Sequence, residues 1–91
     1  MSVIQAACED YRAGMTCDLD DDRADRDAGR RIQCPLHVLW GDQSDDGRDL
    51  GHLDAWRGWA DQVTGRALRC GHFLAEEKPQ ETAAELSGFL A

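Results

Sequence analysis

A short apolar segment between a proline and a glycine constrains the fold of this chain more than any other feature. Pro35 is followed by Leu36-His37-Val38-Leu39-Trp40, and Gly41 ends the run. A strand that is apolar on both faces is typical of a parallel sheet, because helices cover both faces of such a sheet. The sequence therefore predicts an α/β fold with a buried strand at residues 36–40.

The segment after this strand predicts a loop, a helix, a second strand and a terminal helix. The loop covers residues 41–51, and apolar residues then recur at helical spacing at Leu53, Trp56, Trp59, Ala60 and Val63. Gly65 is predicted to end this helix, residues 67–70 to form the second strand, and Pro79 to begin the last helix. The strand–helix–strand order implies a parallel crossover, whose open edges are typical of part of a larger doubly wound sheet.

The residues before the first strand predict helices and an acidic loop. Ile4, Ala7, Cys8 and Tyr11 share one face of a predicted helix that ends at Gly14. Residues 16–22 are predicted to be an acidic loop, and residues 23–30 a short helix. We therefore divide the chain into residues 1–31, which precede the sheet, and residues 32–91, which form it.

Composition excludes several classes of function. A formal net charge of −8 argues against binding to nucleic acid or to an anionic membrane surface. The four cysteines form no C-x-x-C pair and match no zinc template, and no apolar run approaches the roughly 18 residues of a membrane helix. With no secretory signal in front of them, the cysteines are interpreted as reduced thiols, and we expect a cytoplasmic protein without a metal or cofactor.

His72 is the candidate catalytic side chain. It follows the second predicted strand and stands next to Gly71. Reactive groups in open α/β sheets gather beyond the carboxyl ends of the strands, and a histidine there can act as a general base near neutral pH. A histidine in a surface loop is the alternative. His37, inside the strand, is interpreted as a core or edge residue, and His52 as a surface residue before a helix.

Two segments resemble a known family. Cys70-Gly71-His72-Phe73-Leu74-Ala75-Glu76-Glu77, followed by Pro79, resembles the C-terminal histidine segment of the α/β-hydrolases. Cys8-Glu9-Asp10-Tyr11-Arg12-Ala13-Gly14 is similar to a segment of the haloacetate and fluoroacetate dehalogenases. The resemblance covers nearly the whole chain. It implies that residues 1–31 are the end of the cap domain and the return to the core, and that residues 32–91 are the C-terminal part of an α/β-hydrolase core.

The resemblance also implies a mechanism. In these enzymes an aspartate displaces halide from carbon and forms an ester, and a histidine then activates the water that hydrolyses it. By resemblance His72 is that base, and Tyr11 donates a hydrogen bond to the leaving halide. The alternative for Tyr11 is a half-buried helix residue. The implied substrate is a short haloacid, which the full-length enzyme converts without a cofactor.

The chain lacks parts that this chemistry needs. No strand–turn–helix elbow with an aspartate or serine nucleophile precedes Tyr11. The family takes the acid partner of its histidine from an upstream strand, although Asp42, Asp45 and Asp46 stand where many other α/β-hydrolases have theirs. We therefore expect the 91-residue chain alone to be inactive, and its partner to be a second copy of itself or a complementing N-terminal fragment. The alternatives are part of an epoxide hydrolase-like enzyme, and a truncated or split-gene product that only packs on a partner.

Overall fold

The computed structural model describes residues 2–43 and 51–91 of the chain. These residues form two compact units, which divide between Arg31 and Ile32. Most of the predicted loop, residues 44–50, lies outside the described residues.

The first unit consists of two helices, α1 (Val3–Gly14) and α2 (Cys17–Asp27). A capping box begins α1: the backbone N–H of Gln5 donates to Ser2 Oγ at 3.1 Å, and the Ser2 N–H donates to Gln5 Oε1 at 3.0 Å. The helix ends at Gly14 as the sequence predicts. No residue of either helix is buried within the described structure.

The predicted acidic loop at residues 16–22 is wrong, because α2 begins at Cys17. Asp18 and Asp20 occupy its first turn, and Arg26 lies in its last turn. Negative side chains at a helix N-terminus and positive ones at its C-terminus both interact favourably with the helix dipole. The run of aspartates therefore starts a helix rather than a loop.

The second unit contains two strands and three helices. In chain order they are β1 (Leu36–Gly41), α3 (His52–Arg57), β2 (Val63–Leu68), α4 (Leu74–Glu77) and α5 (Pro79–Leu90). The strands are parallel, with Leu36 opposite Val63 and Gly41 opposite Leu68. The predicted α/β class with parallel strands is confirmed, and Pro79 begins the last helix as expected.

The boundary between α3 and β2 differs from the prediction. The predicted helix extends to Val63 and stops at Gly65, whereas α3 ends at Arg57 and both residues lie in β2. Gly65 has a φ of 153° and lies opposite Val38. A Cβ at this position would overlap the Val38 carbonyl group. Glycine is therefore required for the close approach of the two strands and does not mark a helix end.

The core of the second unit is small. Ala60, Leu68 and Cys70 are its buried apolar residues within the described structure. Trp56 and Trp59, two of the apolar residues that recur at helical spacing in the sequence, differ in burial: Trp56 is 42% exposed and Trp59 is half-buried. Large apolar side chains thus remain at the surface of this short chain.

We expect the isolated chain to self-associate. Within the described residues, each strand has a hydrogen-bonded strand on one side only, and unpaired edges are templates for pairing between chains. Leu86, Phe89 and Leu90 of α5 are also exposed. Sedimentation velocity should show dimers or larger species at micromolar concentration, and a monomer with a sharp, cooperative unfolding transition would contradict this expectation.

Candidate active site

His72 lies beyond the carboxyl ends of both strands. The two segments that follow β1 and β2 remain hydrogen-bonded to each other: the Asp42 N–H donates to the Leu68 carbonyl at 2.9 Å, and the Gln43 N–H donates to the Cys70 carbonyl at 2.9 Å. These bonds hold the chain before His72 against the end of the sheet. The side chain of His72 is exposed to solvent, so a water molecule or substrate can reach the imidazole.

A glycine at the end of β1 makes this arrangement possible. A Cβ at Gly41 would overlap the carbonyl groups of Cys70 and Gly71. Gly41 is also buried, so the two backbones meet with no room for a side chain. The position of the His72 loop therefore depends on a residue in the neighbouring strand.

One carboxylate binds the backbone on both sides of His72. The N–H of Gly71 donates to Glu77 Oε1 at 3.0 Å, and the N–H of Phe73 donates to Glu77 Oε2 at 3.2 Å. Glu77 is the last residue of the short helix α4. Glu77 belongs to the histidine segment of the sequence, but the sequence alone predicts no role for it. The sequence signal for this role is a glutamate that follows the glycine–histidine loop by about one helical turn, where its carboxylate can accept hydrogen bonds from the backbone N–H groups of the loop.

The imidazole of His72 has no acid partner among the described residues. Its ring packs edge-on against Phe73, with 5.1 Å between centroids. Within residues 2–43 and 51–91, no carboxylate forms a hydrogen bond or ion pair with His72. Asp42 is described and exposed, and its side chain is not among the partners of His72; Asp45 and Asp46 lie outside the described residues.

Cys70, two residues before His72, is not suited to be a nucleophile. It is 2% exposed. Burial raises the pKa of the Cys70 thiol above its ordinary value of 9.0, and the carboxylates of Glu77 and Asp42 raise this pKa further. The thiol therefore stays protonated near neutral pH, and the thiolate is the form that attacks.

Tyr11, the candidate halide ligand, lies on α1 in the first unit. Its side chain is 83% exposed, so the half-buried alternative for this residue does not hold. Exposure of the phenol is compatible with contact to a ligand. His72 belongs to the second unit. The surroundings of Tyr11 and those of His72 are therefore described separately, each within its own unit.

His37, the histidine in β1, has a structural role. His37 Nδ1 lies 2.8 Å from Thr64 Oγ1, and His37 Nε2 lies 3.0 Å from Glu85 Oε2. Glu85 also pairs with Arg66 at 2.7 Å. The interpretation of His37 as a satisfied histidine of the sheet is confirmed. No group of three or more metal-binding side chains occurs among the described residues, and no described helix has the length and hydrophobicity to cross a membrane.

This chain is similar to known proteins both in sequence and in fold. A fluoroacetate dehalogenase from Burkholderia sp is 34% identical over 99% of this chain and 29% of its own length. Among solved structures, a protein assigned as an alpha/beta hydrolase from Nostoc sp matches 98% of this chain and 30% of its own, with a TM-score of 0.92 and 47% identity. A protein assigned as an acyltransferase from Salmonella enterica matches 96% of this chain and 28% of its own, with a TM-score of 0.89 and 46% identity.

A further structure, of a protein assigned as an epoxide hydrolase from Pseudomonas aeruginosa, matches 91% of this chain and 28% of its own, with a TM-score of 0.81 and 47% identity. No protein-family model matches the chain. The chain thus spans about 30% of the length of the relatives it matches.

The chain has the fold of part of an α/β-hydrolase, with parallel strands and helices, and its sequence is similar to those of proteins with this fold. It also resembles a fluoroacetate dehalogenase in sequence.

Proposed function

We propose that this chain supplies the general base of a haloacetate dehalogenase-like hydrolase, and that His72 is this base. The observation that supports the proposal most strongly is the exposed imidazole beyond the carboxyl ends of two parallel strands. This is where α/β folds bind substrates. The nucleophile and the acid partner of His72 come from polypeptide outside this sequence.

The proposed reaction has two steps. An aspartate carboxylate attacks the carbon that carries the halogen; a carbon–oxygen bond forms, the carbon–halogen bond breaks, and halide leaves with the electron pair. His72 then takes a proton from a water molecule, whose oxygen attacks the carbonyl carbon of the ester. The ester C–O bond breaks, and the departing alkoxide takes the proton from His72 to give the hydroxy acid. The aspartic acid left behind releases its proton to solvent, which regenerates the carboxylate.

In this proposal Tyr11 acts on the leaving group. The phenol hydroxyl donates a hydrogen bond to the halide as negative charge develops on it. The exposed position of Tyr11 on α1 supports access to a ligand. A Tyr11→Phe substitution separates the two steps, since it slows ester formation and leaves ester hydrolysis unchanged.

A second candidate is an epoxide hydrolase-like enzyme, which the match to the Pseudomonas aeruginosa protein favours. An epoxide opens under the same attack by aspartate, and the oxygen stays on the substrate instead of leaving. Parallel assays with fluoroacetate and with a small epoxide distinguish the two substrates. If the chain supports neither reaction, it is the truncated or split-gene product that only packs on a partner.

The proposal is tested by complementation. We expect the isolated chain to release no fluoride from fluoroacetate above the buffer rate. Fusing it to the preceding, nucleophile-bearing part of the Burkholderia dehalogenase should restore fluoride release, since that protein matches this chain over 29% of its length. The matched control replaces the nucleophilic aspartate of that fusion with asparagine. Fluoride release by the chain alone, or a folded fusion without activity on either substrate, would overturn the proposal.

A further inference from the structure

We propose that Glu77 is the positioning residue for His72, an inference that rests on the role proposed for His72 above. Its two carboxylate oxygens accept the N–H groups of Gly71 and Phe73, the residues on either side of the histidine. Both backbone neighbours of His72 are thus held by a single side chain. The carboxylate determines where the Cα of His72 lies at the end of the sheet.

The strength of this arrangement comes from charge and geometry. Hydrogen bonds from backbone N–H groups to a carboxylate are about twice as strong as those between neutral groups. Since α4 is joined directly to the loop, Glu77 reaches the N–H groups without spanning a gap: the Glu77 N–H itself donates to the Phe73 carbonyl at 2.9 Å. The loop and the first turn of α4 therefore form one closed unit around residue 72.

The same geometry explains the glycine before the histidine. A Cβ at Gly71 would lie 2.9 Å from Glu77 Oε2 and 3.2 Å from Glu77 Oε1. These distances are shorter than an ordinary contact between carbon and oxygen, so a side chain at residue 71 would push the carboxylate away. Gly71 and Glu77 are thus a matched pair, and both belong to the histidine segment.

Glu77 is a positioning residue rather than the acid partner of His72. Its oxygens are taken by backbone N–H groups, and the imidazole is not among its hydrogen-bond partners in the described structure. A carboxylate that paired with the imidazole would raise the pKa of the histidine. A carboxylate that only holds the loop acts instead on where the imidazole lies.

Hydrogen exchange of the whole 91-residue chain tests the geometry without any activity. Glu77→Ala should speed amide exchange at Gly71 and Phe73 at least tenfold, and Glu77→Gln should have a smaller effect because its amide oxygen can still accept one bond. Glu76→Gln is the matched control, as Glu76 is exposed in the same helix and its carboxylate bonds to no described residue. Equal exchange in wild type and Glu77→Ala overturns the inference.

Kinetics of the fusion enzyme test the consequence for the reaction. Glu77→Ala should slow ester hydrolysis about tenfold or more, because small misplacements of a reacting group are costly, while the rate of ester formation stays unchanged. The pH at which hydrolysis reaches half its maximum should move by less than about one unit, because a nearby charge that is not paired acts only weakly, and Glu77→Gln should recover part of the rate. A larger shift of that pH would instead mark Glu77 as a charge partner of the imidazole and overturn positioning.

His72→Gln in the same fusion separates the two proposals. If His72→Gln stalls at the ester and Glu77→Ala behaves like Glu76→Gln, only the role of Glu77 is wrong. If His72→Gln turns over normally, the role of His72 fails, and the inference about Glu77 fails with it.

Discussion

His72→Gln is expected to stop turnover of the fusion enzyme at the ester intermediate. Glutamine has a similar length and polarity, but it cannot take a proton from water near neutral pH. The aspartate attack that forms the ester needs no base, so the first halide is still released and one equivalent of covalent adduct accumulates. General base catalysis contributes about 10²–10⁴-fold, and we expect a loss of that size in the steady-state rate.

Intact-protein mass spectrometry measures the adduct directly. The mass of the His72→Gln protein should increase by the mass of the substrate without its halogen, because the carbon that carried the halogen is now esterified to the aspartate. A burst of one halide per active site should come before turnover stops. His52→Gln is the control, because His52 begins α3 and stacks on Trp40 at 5.1 Å between ring centroids, with no role in the proposed chemistry. A His72→Gln protein without an adduct and with a full steady-state rate would remove the proposed base.

The fold could be predicted from the sequence where one local pattern determined the structure. The apolar run before Gly41 predicted β1, and Pro79 predicted the start of α5. The predicted boundary of β2 was wrong because Val63 fits the spacing of a helix as well as that of a strand, and Gly65 fits the end of a helix as well as a close contact between strands. Their place in β2 follows from a contact with Val38 across the sheet, which spacing along the chain cannot show.

The same distinction holds for the candidate site. The position of His72 could be predicted, since it needs only a strand followed by a glycine. The hydrogen bonds of Glu77 could not, because they depend on where the short helix α4 turns back. The acid partner could not be predicted from the sequence either, and no described carboxylate fills that role. Sequence thus indicates a candidate for the reacting residue, while the groups that hold this residue emerge from the three-dimensional packing.

Gly41→Ala is expected to damage both the stability of the second unit and the site. The added methyl group would overlap the carbonyl groups of Cys70 and Gly71, which are backbone atoms and cannot rotate away as a side chain does. Forcing extra volume into a packed position costs about 1–3 kcal/mol, and more where the neighbour is rigid. Relief requires the segment before His72 to move away from the end of β1.

The measurement is urea denaturation of the chain, followed by far-ultraviolet circular dichroism at one protein concentration. Gly41→Ala should lower the unfolding midpoint. Gly88→Ala in α5 should raise the midpoint, with a gain of up to about 1 kcal/mol in the free energy of unfolding, because alanine is more favourable than glycine within a helix. A Cβ at Gly88 meets no atom within 4 Å, so the two variants add the same methyl group with opposite results. In the fusion enzyme, Gly41→Ala should also slow ester hydrolysis, since the displaced segment carries the imidazole out of place. A Gly41→Ala protein with unchanged stability and unchanged hydrolysis would show that the end of β1 does not hold the His72 loop.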